Sequence, residues 1–90
     1  MNIIFIQGKI ISDIEFEFII NNKNKSIAIF KLELLNKSIV TVKSYNEFAD
    51  FCYSKLSKGD SIFIEGYLNS NSEIIMEDIN EIKNVTACNL

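Results

Sequence analysis

Apolar and polar residues alternate with a period of two along most of this chain, which predicts β-strands. The first segment, residues 2–11, is apolar at both parities, so we expect both of its faces to be covered. After a bend at Ser12 and Asp13, the segment EFEFI places its phenylalanines on one side and its glutamates on the other. The polar residues 21–26 then predict a turn or loop.

Two further segments, residues 26–35 and 38–44, alternate in the same way and are joined at Asn36 and Lys37 by a predicted hairpin turn. Their predicted inward residues are Ala28, Phe30, Leu32 and Leu34 in one segment, and Val40 and Val42 in the other. Together with the first segment they predict an antiparallel meander of three strands.

The period then changes to that of a helix. Its apolar stripe is formed by Tyr45, Phe48, Ala49, Cys52 and Leu56. Ser44 and Glu47 match the Ser-x-x-Glu capping box that satisfies the first free amides of a helix. We expect Lys55 and Lys58 in the last turn, with Gly59 supplying the positive φ of a C-terminal cap.

A fourth strand, residues 61–68, and a fifth, residues 73–82, follow this helix. In the fourth strand we expect Ile62, Ile64 and Leu68 to point inward and Ser61, Phe63, Glu65 and Tyr67 to point outward. Gly66 interrupts the inward set, which predicts a bulge. Three strands, one helix and two strands define an all-β fold with one helix, the five-stranded Greek-key barrel called the OB-fold, with the helix between strands 3 and 4.

Length and composition agree with one globular domain, which we place at residues 1–84 with a short C-terminal tail at 85–90. The chain has 90 residues, of which 48% are hydrophobic and 23% charged, so disorder is excluded. The net charge of -3 argues against a strongly basic nucleic-acid binder.

Nothing in the sequence indicates catalysis, a cofactor or a metal site. The chain has no His, and Cys52 and Cys88 are too far apart for a zinc site of the Cys-x-x-Cys type. The first residues lack the pattern of a secretory signal, and no apolar run reaches membrane-spanning length. We therefore expect a mature cytoplasmic protein, with an organellar location as the alternative.

Three stretches resemble bacterial-type single-stranded DNA-binding proteins and their relatives among the primosomal replication proteins. NIIFIQGKI matches the opening of that family, and IAIFKL is similar to its second strand. LSKGDSIFIEGYL reproduces its Leu-x-Lys-Gly-Asp helix end followed by Glu-Gly-x-Leu. The resemblance extends from Asn2 to about Ile82.

The resemblance implies a non-enzymatic OB-fold that binds single-stranded DNA, with RNA as a second candidate ligand, without sequence preference in replication, repair or recombination. It places Tyr45 at the family's third-strand aromatic position. Where the family often has tryptophans, this chain has Asn36 or Lys37, Ile39 and Ser72, and Glu47 stands where a Lys is common. We expect no acidic tail of the kind that recruits partners in the family.

The candidate nucleic-acid-binding residues are Tyr45, Lys31, Lys43 and Lys37, with Ile27, Ile29 and Ile39 between them. Tyr45 has an alternative role, as the first helical residue packing on Phe48 or Ala49. Equally, the isoleucines of this face can form a subunit contact while its lysines are merely solvated. Lys23 and Lys25 are expected to be solvated loop residues.

The resemblance also implies association with the nucleoid and assembly into a homodimer or homotetramer. The candidate interface residues are Ile4, Ile6, Phe63 and Tyr67. Two exposed aromatic residues on one strand favour such a contact. A second hypothesis, motivated by the net charge and the absent tryptophans, is an OB-fold accessory of replication or restart that binds another protein and binds DNA weakly or not at all.

Overall fold

The computed structural model describes residues 2–20 and 25–82, and over these residues it has six strands and one helix. In chain order the elements are β1 (Ile4–Ile10), β2 (Glu15–Ile19), β3 (Lys25–Leu34), β4 (Ile39–Tyr45), α1 (Glu47–Lys55), β5 (Ser61–Leu68) and β6 (Ile74–Ile82). The predicted tail at 85–90, Lys23 and Cys88 lie outside the described residues.

The strands close into a barrel. Their order is β1-β5-β6-β4-β3-β2, and β1 also pairs with β3. Both β1 and β2 run antiparallel to β3, so they are two halves of one bent strand and the barrel has five strands. β4 and β6 pair in parallel, which closes the other side. The helix follows the third barrel strand, so the predicted OB-fold is confirmed.

The core is built from the inward positions that alternation predicts. Those with less than 2% exposure include Phe30, Leu32, Val42, Ile62 and Ile64. The helix contributes its stripe of Ala49 and Cys52, with Leu56 just beyond its end, and packs mainly against β3 and β4. Burial raises the pKa of the Cys52 thiol, although a hydrogen bond with Ser44 opposes this effect.

Gly66 marks the predicted bulge between β5 and β6. The register shifts between Glu65 and Gly66, so that Glu65 pairs with Asp78 and Gly66 with Met76. A β-carbon at Gly66 would overlap the carbonyl oxygen of Ile75 and lie 3.0 Å from its carbonyl carbon. Only glycine allows the two strands to approach this closely, and a bulge of this kind bends the sheet as it closes into the barrel.

Several local predictions about the helix and its neighbouring strand are wrong. Ser44 does not cap the helix, because the strand period continues through it and buries its hydroxyl, which donates to the carbonyl of Ala28 at 3.4 Å. Asn46 is the N-cap and makes no side-chain capping bond. The helix ends at Lys55, so Lys58 lies outside its last turn. Gly59 has a positive φ, 100°, as predicted, but it lies in the turn that leads to β5 and does not cap the helix.

Two predictions about the barrel surface are also wrong for the single chain. The first strand is covered on one face only, since Ile3 and Phe5 are 51% and 61% exposed. No layer of this chain lies over their side of β1 within the described residues. At the end of β5, Leu68 is 45% exposed rather than inward.

Candidate nucleic-acid interface

The outward side chains of β3 and β4, with those of β2 at their edge, form one continuous surface that we call the β3–β4 face. Strand register aligns them in rows: Glu17, Ile27 and Tyr45 in one row, and Glu15, Ile29 and Lys43 in the next. Lys31 and Thr41 form a third row. The structure thus brings together three of the four predicted binding residues, Tyr45, Lys31 and Lys43. Lys37 lies beyond them in the turn.

Tyr45 is the last residue of β4 and lies on this face, so it is not part of the helix. It is half-buried, and the Nζ atom of Lys25 lies 5.2 Å from the centroid of its ring. A lysine at this distance is attracted by the π-electrons of the ring. One ring and one cation are therefore placed together at the same end of the face.

Lys25 is a candidate that the sequence reasoning missed, because the polar run of residues 21–26 predicted a loop. The strand instead begins at Lys25, which pairs with Ile19 of β2. The signal was present in the sequence: the outward parity of Ile27, Ile29 and Lys31 extends back to Lys25. Reading the alternation through the polar residues would have found it.

The corner after Tyr45 holds this ring in place. Asn46 has a positive φ of 57°, and its amide donates to the carbonyl of Ser26 at 2.9 Å. The buried hydroxyl of Ser26 contacts the carbonyl of Asn46 at 3.2 Å and a carboxylate oxygen of Asp50 at 3.0 Å. These contacts tie the end of β4 and the start of the helix to β3, which fixes where the Tyr45 side chain emerges.

Lys31 and Lys43 are both engaged by neighbours. The Lys31 ammonium donates to the Thr41 hydroxyl at 2.7 Å, and the Lys43 ammonium lies 3.2 Å from a carboxylate oxygen of Glu73. A hydrogen bond from the Asn69 side chain, and next the one from Lys43, lower the pKa of Glu73. Glu73 therefore remains ionised at neutral pH and partly neutralises Lys43.

Three glutamates border the β3–β4 face, two of them on the β2 side. Glu15 and Glu17 are exposed in the rows of Ile29 and Ile27, and Glu73 adds a third carboxylate beside Lys43. Against these three stand Lys25, Lys31 and Lys43. This part of the face is consequently balanced in charge, so any polyanion that it binds must rely on the ring and on apolar contacts as well as on charge.

A second surface, on the outward sides of β1 and β5, carries exposed aromatic residues beside the polar Gln7 and Glu65. The rings of Phe5 and Phe63 are stacked, with centroids 6.1 Å apart and planes 12° from parallel. Tyr67 lies two positions further along the outward side of β5 and is half-buried. The structure places the predicted interface residues Ile4 and Ile6 elsewhere, on the inward side of β1 against the core. The outward member of β1 is Phe5.

The described part of the chain has no group of three or more His, Cys, Asp or Glu side chains placed to hold a metal ion. Among the same residues, no helix has both the length and the apolar character needed to cross a lipid bilayer.

Solved structures with the same fold are numerous. The crystal structure of the single-stranded DNA binding protein from Thermus aquaticus aligns with a TM-score of 0.82 at 16% identity, over 93% of this chain and 41% of that one. The mitochondrial single-stranded DNA binding protein from S. cerevisiae aligns with a TM-score of 0.76 at 20% identity, over 92% of this chain and 96% of that one. The second OB-fold domain of replication protein A from Methanococcus maripaludis aligns with a TM-score of 0.72 at 19% identity, over 89% of this chain and 83% of that one.

These likenesses define the class of this protein as an OB-fold. The chain spans less than half the length of the T. aquaticus protein, whereas it matches nearly the whole of the yeast one. The sequence matches no protein-family model and no curated protein sequence.

Proposed function

We propose that this chain is a single-stranded DNA-binding module of the type that acts in replication, repair or recombination, and that it binds the strand on the β3–β4 face without sequence preference. Tyr45 stacks against a base, while Lys25, Lys31 and Lys43 contact phosphates. The observation that carries the proposal is the Tyr45 ring with the Lys25 ammonium 5.2 Å from its centroid, on the outward side of an OB-fold barrel.

The fold comparisons support this proposal, since two of the similar structures are described as single-stranded DNA binding proteins. The chemistry of the face supports it as well. Ile27 and Ile29 offer flat apolar surface between the ring and the lysines. This arrangement suits a single DNA strand, which presents the apolar faces of its unstacked bases together with a charged backbone.

The same face predicts that binding is weak. One aromatic platform contributes ~1–3 kcal/mol per stacked base, and this chain has one such ring on the face where the family has several. The three nearby carboxylates also repel phosphates. We therefore expect the affinity of one domain for DNA to fall in the range of nonspecific binding.

A fluorescence titration of oligo-dT tests the proposed function. At low salt we expect saturable binding, and the three lysine–phosphate contacts of the β3–β4 face should contribute about -2 to the slope of log K against log salt, at ~0.7 each with single strands. Duplex DNA of the same length serves as the control and should bind more weakly. A flat titration at ~100 µM protein, the weak end of nonspecific binding, would overturn the proposal.

We further propose that the chain associates into a homodimer or homotetramer through the end of the β1–β5 surface that carries Ile3, Phe5, Phe63 and Tyr67, which leaves Lys9 and Ser61 at the other end outside the contact. Phe5 is 61% exposed and stacks on Phe63, and Ile3 extends the same apolar surface. Large exposed aromatic groups that adjoin one another are typical of association surfaces. Phe5 takes the place in this interface that the sequence assigned to Ile4 and Ile6, and Phe63 and Tyr67 keep theirs.

Sedimentation velocity tests this association. The wild-type chain is expected to sediment as an oligomer, and Phe5→Lys as a monomer, because the substitution places a charge in the centre of the contact. Phe18→Lys is the matched control, since Phe18 is similarly exposed, at 57%, but lies on β2. If Phe5→Lys sediments like the wild type, the interface lies elsewhere.

The second candidate function, a protein-binding OB-fold accessory of replication or restart, is favoured by the balanced charge of the β3–β4 face. Glu15, Glu17 and Glu73 would discourage a polyanion and suit a protein partner with lysines or arginines. A stable complex with one purified replication protein, combined with a flat DNA titration, would favour this function over the first.

Under either function we propose a cytoplasmic site of action on the nucleoid, with an organelle as the alternative. The likeness to a mitochondrial protein supports the organellar alternative. Localisation of the tagged chain by microscopy distinguishes the two, and a membrane-bound signal would contradict both.

A further inference from the structure

A surface pocket of about 270 Å³ opens beside the turn between β3 and β4. The side chains that matter for its chemistry are Gln7, Lys9, Glu33, Leu35, Lys37 and Ser61. Its volume lies just below the ~300 Å³ at which small-ligand sites commonly begin, so it has room for a group the size of one phosphate and its sugar. None of the binding residues predicted on the strands lines it.

The pocket continues the β3–β4 face. Glu33 is the next outward position of β3 after Lys31, about 7 Å further along the strand. Lys9 of β1 pairs with Glu33 on one side, and Ile39 of β4 pairs with it on the other. A DNA strand that crosses the face from Tyr45 past Lys31 therefore next meets the row formed by Lys9, Glu33 and Ile39.

The charge of the surface changes at this point. In the rows of Tyr45 and Lys43, the strand that pairs with the outer edge of β3 is β2, which contributes Glu15 and Glu17. Near the pocket the same edge is occupied by β1, which brings Lys9. Two lysines, Lys9 and Lys37, face one glutamate, Glu33, so the pocket is net positive while the rest of the face is balanced.

Both pocket lysines are available for a ligand. Lys9 and Lys37 are exposed, and within the described residues neither has a carboxylate oxygen inside 4 Å, since the one ion pair there joins Lys43 and Glu73. Lys43 differs in this respect, because a phosphate must compete with Glu73 for it.

Lys37 is held in an unfavourable backbone conformation. Its φ is 74°, a value that glycine or asparagine adopts more readily than lysine. Its amide donates to the carbonyl of Leu34 at 2.9 Å, and the Leu34 amide donates to the carbonyl of Ser38 at 2.8 Å, so the turn fixes this conformation. A lysine at such a position, beside a positive pocket, points to a role for the side chain.

We propose that this pocket is a phosphate subsite for a nucleotide, in which the Lys9 and Lys37 ammonium groups bind the phosphate, the Ser61 hydroxyl and the Gln7 amide donate hydrogen bonds, and Leu35 contacts the sugar or base. The proposal rests on the proposed function, because the nucleotide it takes is the one that follows the β3–β4 face along the same DNA strand. A free mononucleotide carries the same chemistry, and the experiment separates the two sources.

The test compares oligo-dT of about 4 and about 16 nucleotides, the two ends of the site-size range of an OB-fold. The Lys9→Gln, Lys37→Gly double variant should lower the affinity for the longer strand by about tenfold at low salt, and for the shorter strand by less than about twofold. Its salt slope with the longer strand should become shallower by about 0.7, since the pair of lysines neutralises one phosphate and that contact is lost.

Two features make the test specific. Glycine relaxes the positive φ of residue 37, so Lys37→Gly should not lower the unfolding temperature, and a loss of binding then reflects the missing ammonium. Lys55→Gln removes a lysine outside the pocket, at the end of the helix, and should leave the length dependence and the slope nearly as in the wild type.

The outcomes are distinguishable from failure of the proposed function. If the wild type binds the longer strand and the double variant keeps its affinity and slope, or if Lys55→Gln has the same effect, the pocket proposal is overturned. If neither strand binds, the proposed function fails, and the second arm decides the pocket: added dTMP should shift the amide NMR resonances of Ser61 and Gln7 in the wild type but not in the double variant. Absence of those shifts overturns the proposal in that case.

Discussion

Replacing Gly66 by alanine is expected to lower the free energy of unfolding by ~3 kcal/mol or more, the upper end of the cost of overpacking. A β-carbon there would overlap the Ile75 carbonyl oxygen and lie 3.3 Å from Cα of Met76. These are backbone atoms of the neighbouring strand, which cannot rotate away as a side chain can. The β5–β6 pairing must therefore separate at the bulge, and Ile74 and Met76 would lose part of their burial.

Urea unfolding measures this change, and Gly59→Ala is its matched control. Gly59 has a φ of 100°, but no atom lies within 4 Å of the place where its β-carbon would be. Alanine at Gly59 therefore costs only backbone strain, ~1–2 kcal/mol. If Gly66→Ala were no more destabilising than Gly59→Ala, the close approach of the two strands would not be the reason for the glycine.

Much of the fold could be predicted because alternation reports which residues share a side of a strand. Phe30, Val42 and Ile64, at the centres of the predicted inward sets, are fully buried, and the break in alternation at Gly66 identified the bulge. The change of period at Tyr45 located the helix to within a few residues. These features depend on local geometry that each segment carries in its own sequence.

The errors arise where the outcome depends on what another segment does. Ser44 fits a helix cap by its spacing to Glu47, but the strand continues through it because its inward position lies against Ala28 and Cys52. Alternation also cannot say whether an apolar side is covered. Phe5 satisfies the same pattern as a buried residue, yet no part of the described chain lies over it.

The candidate site was predicted only in part, because some of its residues are brought together by pairing with other segments. The outward parity of β3 and β4 brings Tyr45, Lys31 and Lys43 to one face, as expected. Register with β2 adds Glu15 and Glu17 to that face, and the β1–β3 pairing brings Lys9 beside the turn at Lys37. Pairing between distant segments decides these neighbours, so the charge of the face could not be predicted from one strand at a time.

Replacing Tyr45 by leucine is expected to weaken binding of oligo-dT by about 5- to 150-fold, which corresponds to the ~1–3 kcal/mol of one base–aromatic stack. Leucine keeps an apolar side chain of moderate size beside Ile27, its cross-strand neighbour, so the loss would reflect the missing ring face rather than a damaged strand. A fluorescence titration at fixed low salt measures the ratio of dissociation constants. Thermal unfolding of the same samples shows whether the fold is retained.

Tyr45→Phe is the control that separates stacking from hydrogen bonding. Phenylalanine keeps the π-face on which a base stacks, and the Lys25 ammonium retains a ring to contact. We expect its affinity to stay within about twofold of the wild type, because stacking does not require the hydroxyl. If Tyr45→Phe lost as much affinity as Tyr45→Leu, the hydroxyl would be the binding group. If neither variant changed the affinity, the strand would not cross Tyr45, and the lysines of the face would have to bind DNA without an aromatic platform.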